Sequence, residues 1–411
     1  MTNQLAIHGG EKTRKHPFPG WPVYGIEEED ALKRVLHSGA WGRINGSETD
    51  AFEQAFARHH DAAHGIAVAN GSVALRLSLL ALGVAAGDEV IVPAYTFLAT
   101  ATTVVEANAV PVFVDIASDS YNIDPDKIEA AITPRTRAIV PVHFGGLAAD
   151  MDRILEIARR HGVTVLEDAA HGHGAEYKGR KVGSLGDIAA FSFQASKNMT
   201  AGEGGIITTN DDALAEIARS LHNCGRAPGR AWYGHERIGG NYRLTEFQSA
   251  VLSCQLARLD AQTCTRDANG RYLSEKLAQI PGLSPLRRGQ GETRHAYHLY
   301  IFRFDEGAFG VPRADFLSAM TAEGIPISSG YGMPLYQQPL FERKRFGPYA
   351  GAQGYRSDLS FHRENCPVSE RACRSEACWI SQSMLLGSRA DMDDIAAAAA
   401  KIYEFRDDLR K

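Results

Sequence analysis

The sequence predicts an α/β protein with a mostly parallel, helix-covered sheet and a second, smaller α/β lobe after it. Three observations lead there. From about Phe52, short apolar runs alternate with helical stretches, as in strands joined by crossover helices. At 411 residues the chain is longer than one hydrophobic core ordinarily serves. Past about Gln255 the alternation stops, and a charged helical stretch and a loop-rich region follow.

The elements come in this order. Val73 to Leu82 repeats apolar residues on one face and is stopped by Gly83, which predicts a helix. A turn at Ala86-Gly87-Asp88 leads into the apolar run Glu89 to Val92, ended by Pro93. Thr100 to Asn108 is helical in pattern, Val110 to Val114 a strand, Ile128 to Ile132 a helix and Ala138 to Val142 a strand. Met151 to His161 is amphipathic and closed by Gly162, and a strand runs from Val163 to Leu166. Further on, Leu256 to Leu277 predicts a charged helix and Tyr297 to Phe304 an alternating strand. Ile325 to Glu370 is rich in loops, and the alanines at Ala396 to Ala400 predict a C-terminal helix. The expected division is a large domain over 1–260, N-terminal segment included, and a small one over 261–411. Parallel sheets hold ligands beyond the carboxyl ends of their strands, so the residues just after each strand are the ones to inspect.

Composition excludes several classes. A net charge of -5 lacks the basic footprint of a nucleic-acid binder. No apolar run reaches the roughly 18 residues of a membrane helix. The polar N-terminus lacks the apolar centre of a secretory signal, so a cytoplasmic location is expected. The six cysteines are thinly spread, which fits free thiols in a reducing compartment. Cys366, Cys373 and Cys378 lack the close pairing of zinc sites, and no metal is expected.

Three places carry chemistry-bearing residues. Asn70-Gly71-Ser72 precedes a helix, where backbone N–H groups and a hydroxyl can hold a phosphate; taken alone, Ser72 is equally an ordinary helix cap. Asp168 follows an apolar run, where a carboxylate can hold a proton on a cofactor's ring nitrogen or simply make a turn. Lys197 lies in a hydroxyl-rich turn with Ser192 and Ser196, before the glycine-rich Gly202-Glu203-Gly204-Gly205. A lysine forms an imine only when unprotonated, which a cofactor pocket can arrange, though a lone lysine is ordinarily a solvated charge. Their order along the chain is that of a pyridoxal 5'-phosphate (PLP) enzyme of the aspartate-aminotransferase fold.

Asn70-Gly71-Ser72, Pro93 to Phe97, Glu167 to His171, Ser192 to Gly205 and Gly240 to Gln248 resemble the DegT/StrS-type sugar aminotransferases, over about Gly39 to at least Glu370. The resemblance implies PLP-dependent fold type I, with a large, mostly parallel seven-stranded sheet domain and a smaller C-terminal α/β domain. It implies a homodimer with shared active sites. Lys197 is similar to the Schiff-base lysine that also moves the proton, and Asp168 to the pyridinium partner. Phe97 is similar to the ring-stacking aromatic, whose alternative role is core packing. Ser72 and Ser192, with the backbone of Gly71 and Val73, resemble the phosphate cup. Asn241 is similar to a residue that reaches the phosphate in the neighbouring subunit.

Two departures stand out. His171, near the cofactor's ring hydroxyl, replaces a common Gln, and Gln194 replaces a common His. The related dehydratases carry histidine where Lys197 stands, so the resemblance favours transamination. Gln194, with the tail Cys366 to Ala372 and Trp379 to Ser383, resembles the keto-cyclitol branch, which acts on inosose-type ketones and commonly takes nitrogen from L-glutamine. The expected reaction is ping-pong by way of pyridoxamine phosphate, with Lys197 as proton shuttle. A glutamate-dependent enzyme of nucleotide-linked keto-sugars is the second reading, and a non-catalytic PLP-binding regulator a third. No GxGxxG stands at a strand-to-helix turn to support a dinucleotide enzyme. His298, Tyr331, Tyr336 and Arg363 lie where an acceptor site could be lined, or in ordinary polar loops.

Overall fold

The computed structural model describes residues 4–227, 229–289, 291–343, 346 and 366–410. Its large sheet has seven strands: β1 (His64–Val68), β2 (Glu89–Pro93), β3 (Val110–Val114), β4 (Thr136–Ile139), β5 (Thr164–Asp168), β6 (Ile188–Ser192) and β7 (Gly205–Thr209). They lie in the order β1-β7-β6-β5-β4-β2-β3. All neighbours are parallel except β7, which runs antiparallel to both β1 and β6. Strands β2, β6 and β7 are buried throughout, as the near-continuous apolar runs of a sheet covered on both faces require.

Helices Gly71–Ala81, Ala99–Glu106 and Asp212–His222 pack on one face with Leu75, Leu79, Val104 and Leu221. The other face carries Met151–His161 and an aromatic cluster of Phe52, Phe56, Phe191 and Phe193. Phe56 lies 5.0 Å from Phe191 and 5.5 Å from Phe193, edge to face, the arrangement aromatic pairs favour. Helices Ile26–Ser38 and Glu48–His59, which precede the sheet, were not anticipated from the sequence.

The helix expected from Leu256 begins ten residues earlier, as Glu246–Leu277. Thr245 caps its first turn and Gln248 answers in a capping box. The expected domain boundary falls inside this helix, which serves both lobes: Leu252 and Leu259 join the large-lobe core, Leu273 and Leu277 the small one. The small lobe centres on an antiparallel sheet with Leu299–Phe304 between Leu283–Pro285 and Ala377–Ser381, packed against helices Arg313–Ala322 and Arg389–Glu404.

One expectation is corrected. The first residues pack on the small lobe, not the large. Leu5 is buried in the small-lobe core, Arg14 pairs with Asp391 and Asp394, and Thr13 bonds to Glu323. Among the described residues no helix is long and apolar enough to cross a membrane.

Candidate active site

Strands β1, β2, β5 and β6 deliver their carboxyl ends to one edge of the sheet. The connection after each of these four strands begins with or carries one of the residues singled out above.

After β1, the helix Gly71–Ala81 is capped by Asn70, whose Oδ1 accepts from the Val73 N–H at 2.9 Å. Ser72 is therefore not the cap. The Val73 amide is already committed, which leaves the amides of Gly71 and Ser72 as the first-turn donors without an acceptor among the described residues. Ser72 is exposed. A side chain at Gly71 would come within 2.6 Å of Ser192 Cβ, so glycine is what lets the helix start lie against the end of β6.

After β2, Phe97 is 59% exposed, so it is not packed in a core. At the end of β5, Asp168 is buried, and Thr100 donates to it at 2.8 Å from the helix that follows β2. The Ala170 amide adds a second bond at 3.2 Å. No cation pairs with Asp168 among the described residues. Burial pushes its carboxyl above the ordinary range, and Thr100 and Ala170 only partly offset this.

After β6, the half-buried Lys197 ends a tight turn in which its N–H donates to the Gln194 carbonyl. Loss of solvent lowers its ammonium to about 8, against the pull of Asp168 in the other direction. The Gln194 side chain braces this turn: Oε1 accepts from the Ser196 amide at 2.9 Å and from its hydroxyl at 2.8 Å. Trp21, from the N-terminal segment, donates to the Ala195 carbonyl and closes over the turn.

His171 is buried, and Nδ1 accepts from the Gly145 amide at 3.2 Å. Burial drives the imidazole well toward its neutral form, so the proton sits on Nε2, as a donor. The His298 ring lies 4.2 Å away, with Nδ1 3.2 Å from Asn198 Oδ1.

Of the remaining residues, Tyr331 joins an aromatic group beside the site. Tyr336 is turned into the core and donates to Glu370 at 2.8 Å, so it lines no open site. Asn241 is exposed on the bridge Asn223↔Asn241. Arg363 lies outside the described residues.

The sequence reading missed Thr100 and the pair His143–Glu167. The one signal for Thr100 was its place beyond the carboxyl end of β2.

A lysine drawn toward neutrality, a buried carboxylate without a cation among the described residues and an open helix start on one edge of this sheet fit a PLP-dependent enzyme. The chain belongs to the DegT/DnrJ/EryC1/StrS aminotransferase family, whose profile matches residues 23–358. It is 42% identical, over the full length of both chains, to a Streptoalloteichus tenebrarius protein provisionally named L-glutamine:3-amino-2,3-dideoxy-scyllo-inosose aminotransferase. It is 40% identical, again over both full lengths, to L-glutamine:2-deoxy-scyllo-inosose aminotransferase of the same organism. The crystal structure of 3-amino-5-hydroxybenzoic acid synthase superposes with a TM-score of 0.86 at 37% identity, covering 96% of this chain and all of that one.

Proposed function

We propose that this enzyme moves the amino group of L-glutamine onto the ketone carbon of a cyclitol of the 2-deoxy-scyllo-inosose type. The observation that carries the chemistry is the juxtaposition of Lys197 and Asp168, an amine near neutrality beside an unpaired buried carboxylate. The substrate class rests on the full-length similarity to the inosose enzymes.

The residues fit PLP. Asp168 lacks a cation, and a protonated ring nitrogen supplies one. The amides of Gly71 and Ser72, with the hydroxyls of Ser72 and Ser192, suit a phosphate at a helix N-terminus. The exposed Phe97 offers a face for the ring, and His171 a donor for its hydroxyl. Gln194 supports the lysine turn in our reading, and Val73 takes part only through its position. When bound, PLP supplies an electron sink that makes the substrate's α-proton removable. Lys197 would hold the cofactor while idle, and its amine, once free, would be placed to take that proton from the donor and return one to the acceptor carbon. Asp168 keeps the ring nitrogen charged throughout.

The working unit is a homodimer in this proposal. Trp41, Ile44, Trp232, Tyr233 and Ile238 are exposed apolar side chains, and Asn241 follows Ile238 closely in sequence. Cys224, Cys254, Cys264, Cys373 and Cys378 form no disulfide among the described residues, in keeping with the cytoplasm.

The test uses PLP-loaded enzyme without ketone, with Lys197→Ala as control. L-glutamine should bleach the visible band of the lysine-bound cofactor. Bleaching by L-glutamate alone would move the reading to nucleotide-linked keto-sugars. No band, or no response to either donor, would refute the proposal.

A further inference from the structure

Beside Asp168 and His171 stands an aromatic wall that the residues above do not use. Tyr95 and Phe144 reach it from the loops after β2 and β4; Tyr331 and Trp379 come from the small lobe. Tyr331 meets Trp379 edge to face at 4.8 Å and Tyr95 at 5.4 Å. Phe144 lies 5.8 Å from Trp379 and 5.7 Å from His171, so the wall is continuous with the site. Gly330 has φ +73°, and a Cβ there would come within 2.4 Å of the indole, so glycine allows the loop to lie flat on Trp379.

The polar atoms of this wall are the anomaly. Tyr95 Oη and Trp379 Nε1 are buried and have no hydrogen-bond partner among the described residues. Buried donors are nearly always paired, so two orphans on one wall at a catalytic edge point to a ligand that supplies acceptors. Tyr331 and Trp379 are themselves only half-buried, which leaves their rings within reach. Among the described residues the wall carries no free charge: Arg313, packed behind it, donates Nη1 to the Ala377 carbonyl and Nη2 to those of Cys373 and Arg374. Both lobes hold it in place. Arg313 ties down the turn before Trp379, and Asp115 at the end of β3 accepts from the Val368 and Ser369 amides and the Ser369 hydroxyl.

We propose that Tyr95, Tyr331 and Trp379 receive the acceptor, and that they select a neutral, hydroxylated six-membered carbocycle over a nucleotide-linked sugar. The C–H face of such a ring suits the electron-rich faces of the aromatics, and its hydroxyls satisfy the two orphan donors. A diphosphate would need cations that the described residues of this wall do not supply. The inference rests on the function proposed above and deepens it to the residues that choose the acceptor.

The test compares holoenzyme with Trp379→Phe and Tyr95→Phe, each of which keeps an aromatic ring at its place and removes one donor. With 2-deoxy-scyllo-inosose as acceptor, each variant should lower kcat/KM about five- to twelvefold, mainly through KM, the upper scale of one neutral hydrogen bond. The glutamine half-reaction should stay within about twofold of the parent. Unchanged acceptor constants in both variants would overturn the proposal. So would an equal loss in the glutamine half-reaction, which marks a merely structural wall, or equal use of a nucleotide-linked keto-sugar by the parent enzyme. Calorimetric binding of the ketone separates the two levels. A parent enzyme inert to glutamine counts against the proposed function, whereas binding that both variants leave unweakened counts against the wall.

Discussion

Glu167 and Asp168 are neighbours on β5, both buried, and they meet opposite surroundings. Successive side chains leave a strand on opposite faces. Glu167 meets a saturated shell: His143 Nε2 at 2.9 Å and the amides of Gly183, Leu185 and Gly186 at 2.8 Å each. His143 Nδ1 accepts from Ala149, which fixes the ring proton on the side of Glu167. Burial opposes the charge of Glu167, but His143 and the amides outweigh it and hold the carboxyl below its ordinary value. Asp168 has one hydroxyl and one amide, and burial prevails. A buried carboxylate whose partners are complete serves the fold. One whose partners are incomplete is kept for something that arrives later.

The largest effect should come from breaking the incomplete side. Asp168→Asn keeps the shape and removes the charge that the cofactor nitrogen would meet. We expect turnover to fall on the order of 10²- to 10³-fold, the scale of losing one preorganised electrostatic partner. The apoprotein should melt no lower than the parent, because an uncompensated buried charge has gone. A clear fall in melting temperature with activity retained would reverse the assignment.

Glu167→Gln is the complement. It leaves a shell of donors around a neutral amide and should cost about 2–3 kcal/mol, the scale of hydrogen bonds to a charged group. It is read as a lower melting temperature, with activity per folded molecule little changed. The two variants should also part with pH. Glu167 titrates lower in the folded protein than its ordinary 4.5, so its stabilisation is present above that pH and fades as pH falls through the folded value. Asp168 titrates above its ordinary 3.8, so it disfavours folding once pH rises past that value; the benefit of Asp168→Asn belongs to neutral pH and vanishes in acid.

The same contrast explains what could be read from the sequence. Val110–Val114 and Met151–His161 appear as expected, because an apolar run or a helical repeat is a local property. The strand His64–Val68 was missed because it opens on His-Gly and its burial comes from the cores on both faces of the sheet, with Ile66 and Val68 on one and Ala67 on the other. The long helix was begun too late because its two halves bury different faces in different cores, which blurs the repeat, although the box Thr245–Gln248 was there to see. Lys197 and Asp168 were legible as residues that follow strands. Thr100, His143 and the orphan donors Tyr95 and Trp379 were not, since their roles depend on partners brought from other strands or from the other lobe. Gln194 shows the converse: a residue singled out for the cofactor commits its side-chain oxygen to its own turn.

The smallest effect is a shift in pH, and it draws the finest line between the two carboxylates. Lys197 can attack PLP only as the free amine, and its ammonium titrates at about 8. Capture of PLP by the apoprotein should therefore accelerate as pH rises, about tenfold per unit below 8, and level off above it. Asp168 is the charge that holds Lys197 up against the loss of solvent. Asp168→Asn should thus move the midpoint of the rate profile below 8, while Glu167→Gln, whose charge is neutralised in its own shell, should leave it in place. Stopped-flow absorbance of PLP capture measures both. If both variants shift the profile equally, the field at Lys197 comes from the strand as a whole and the division between a structural and a reserved carboxylate fails.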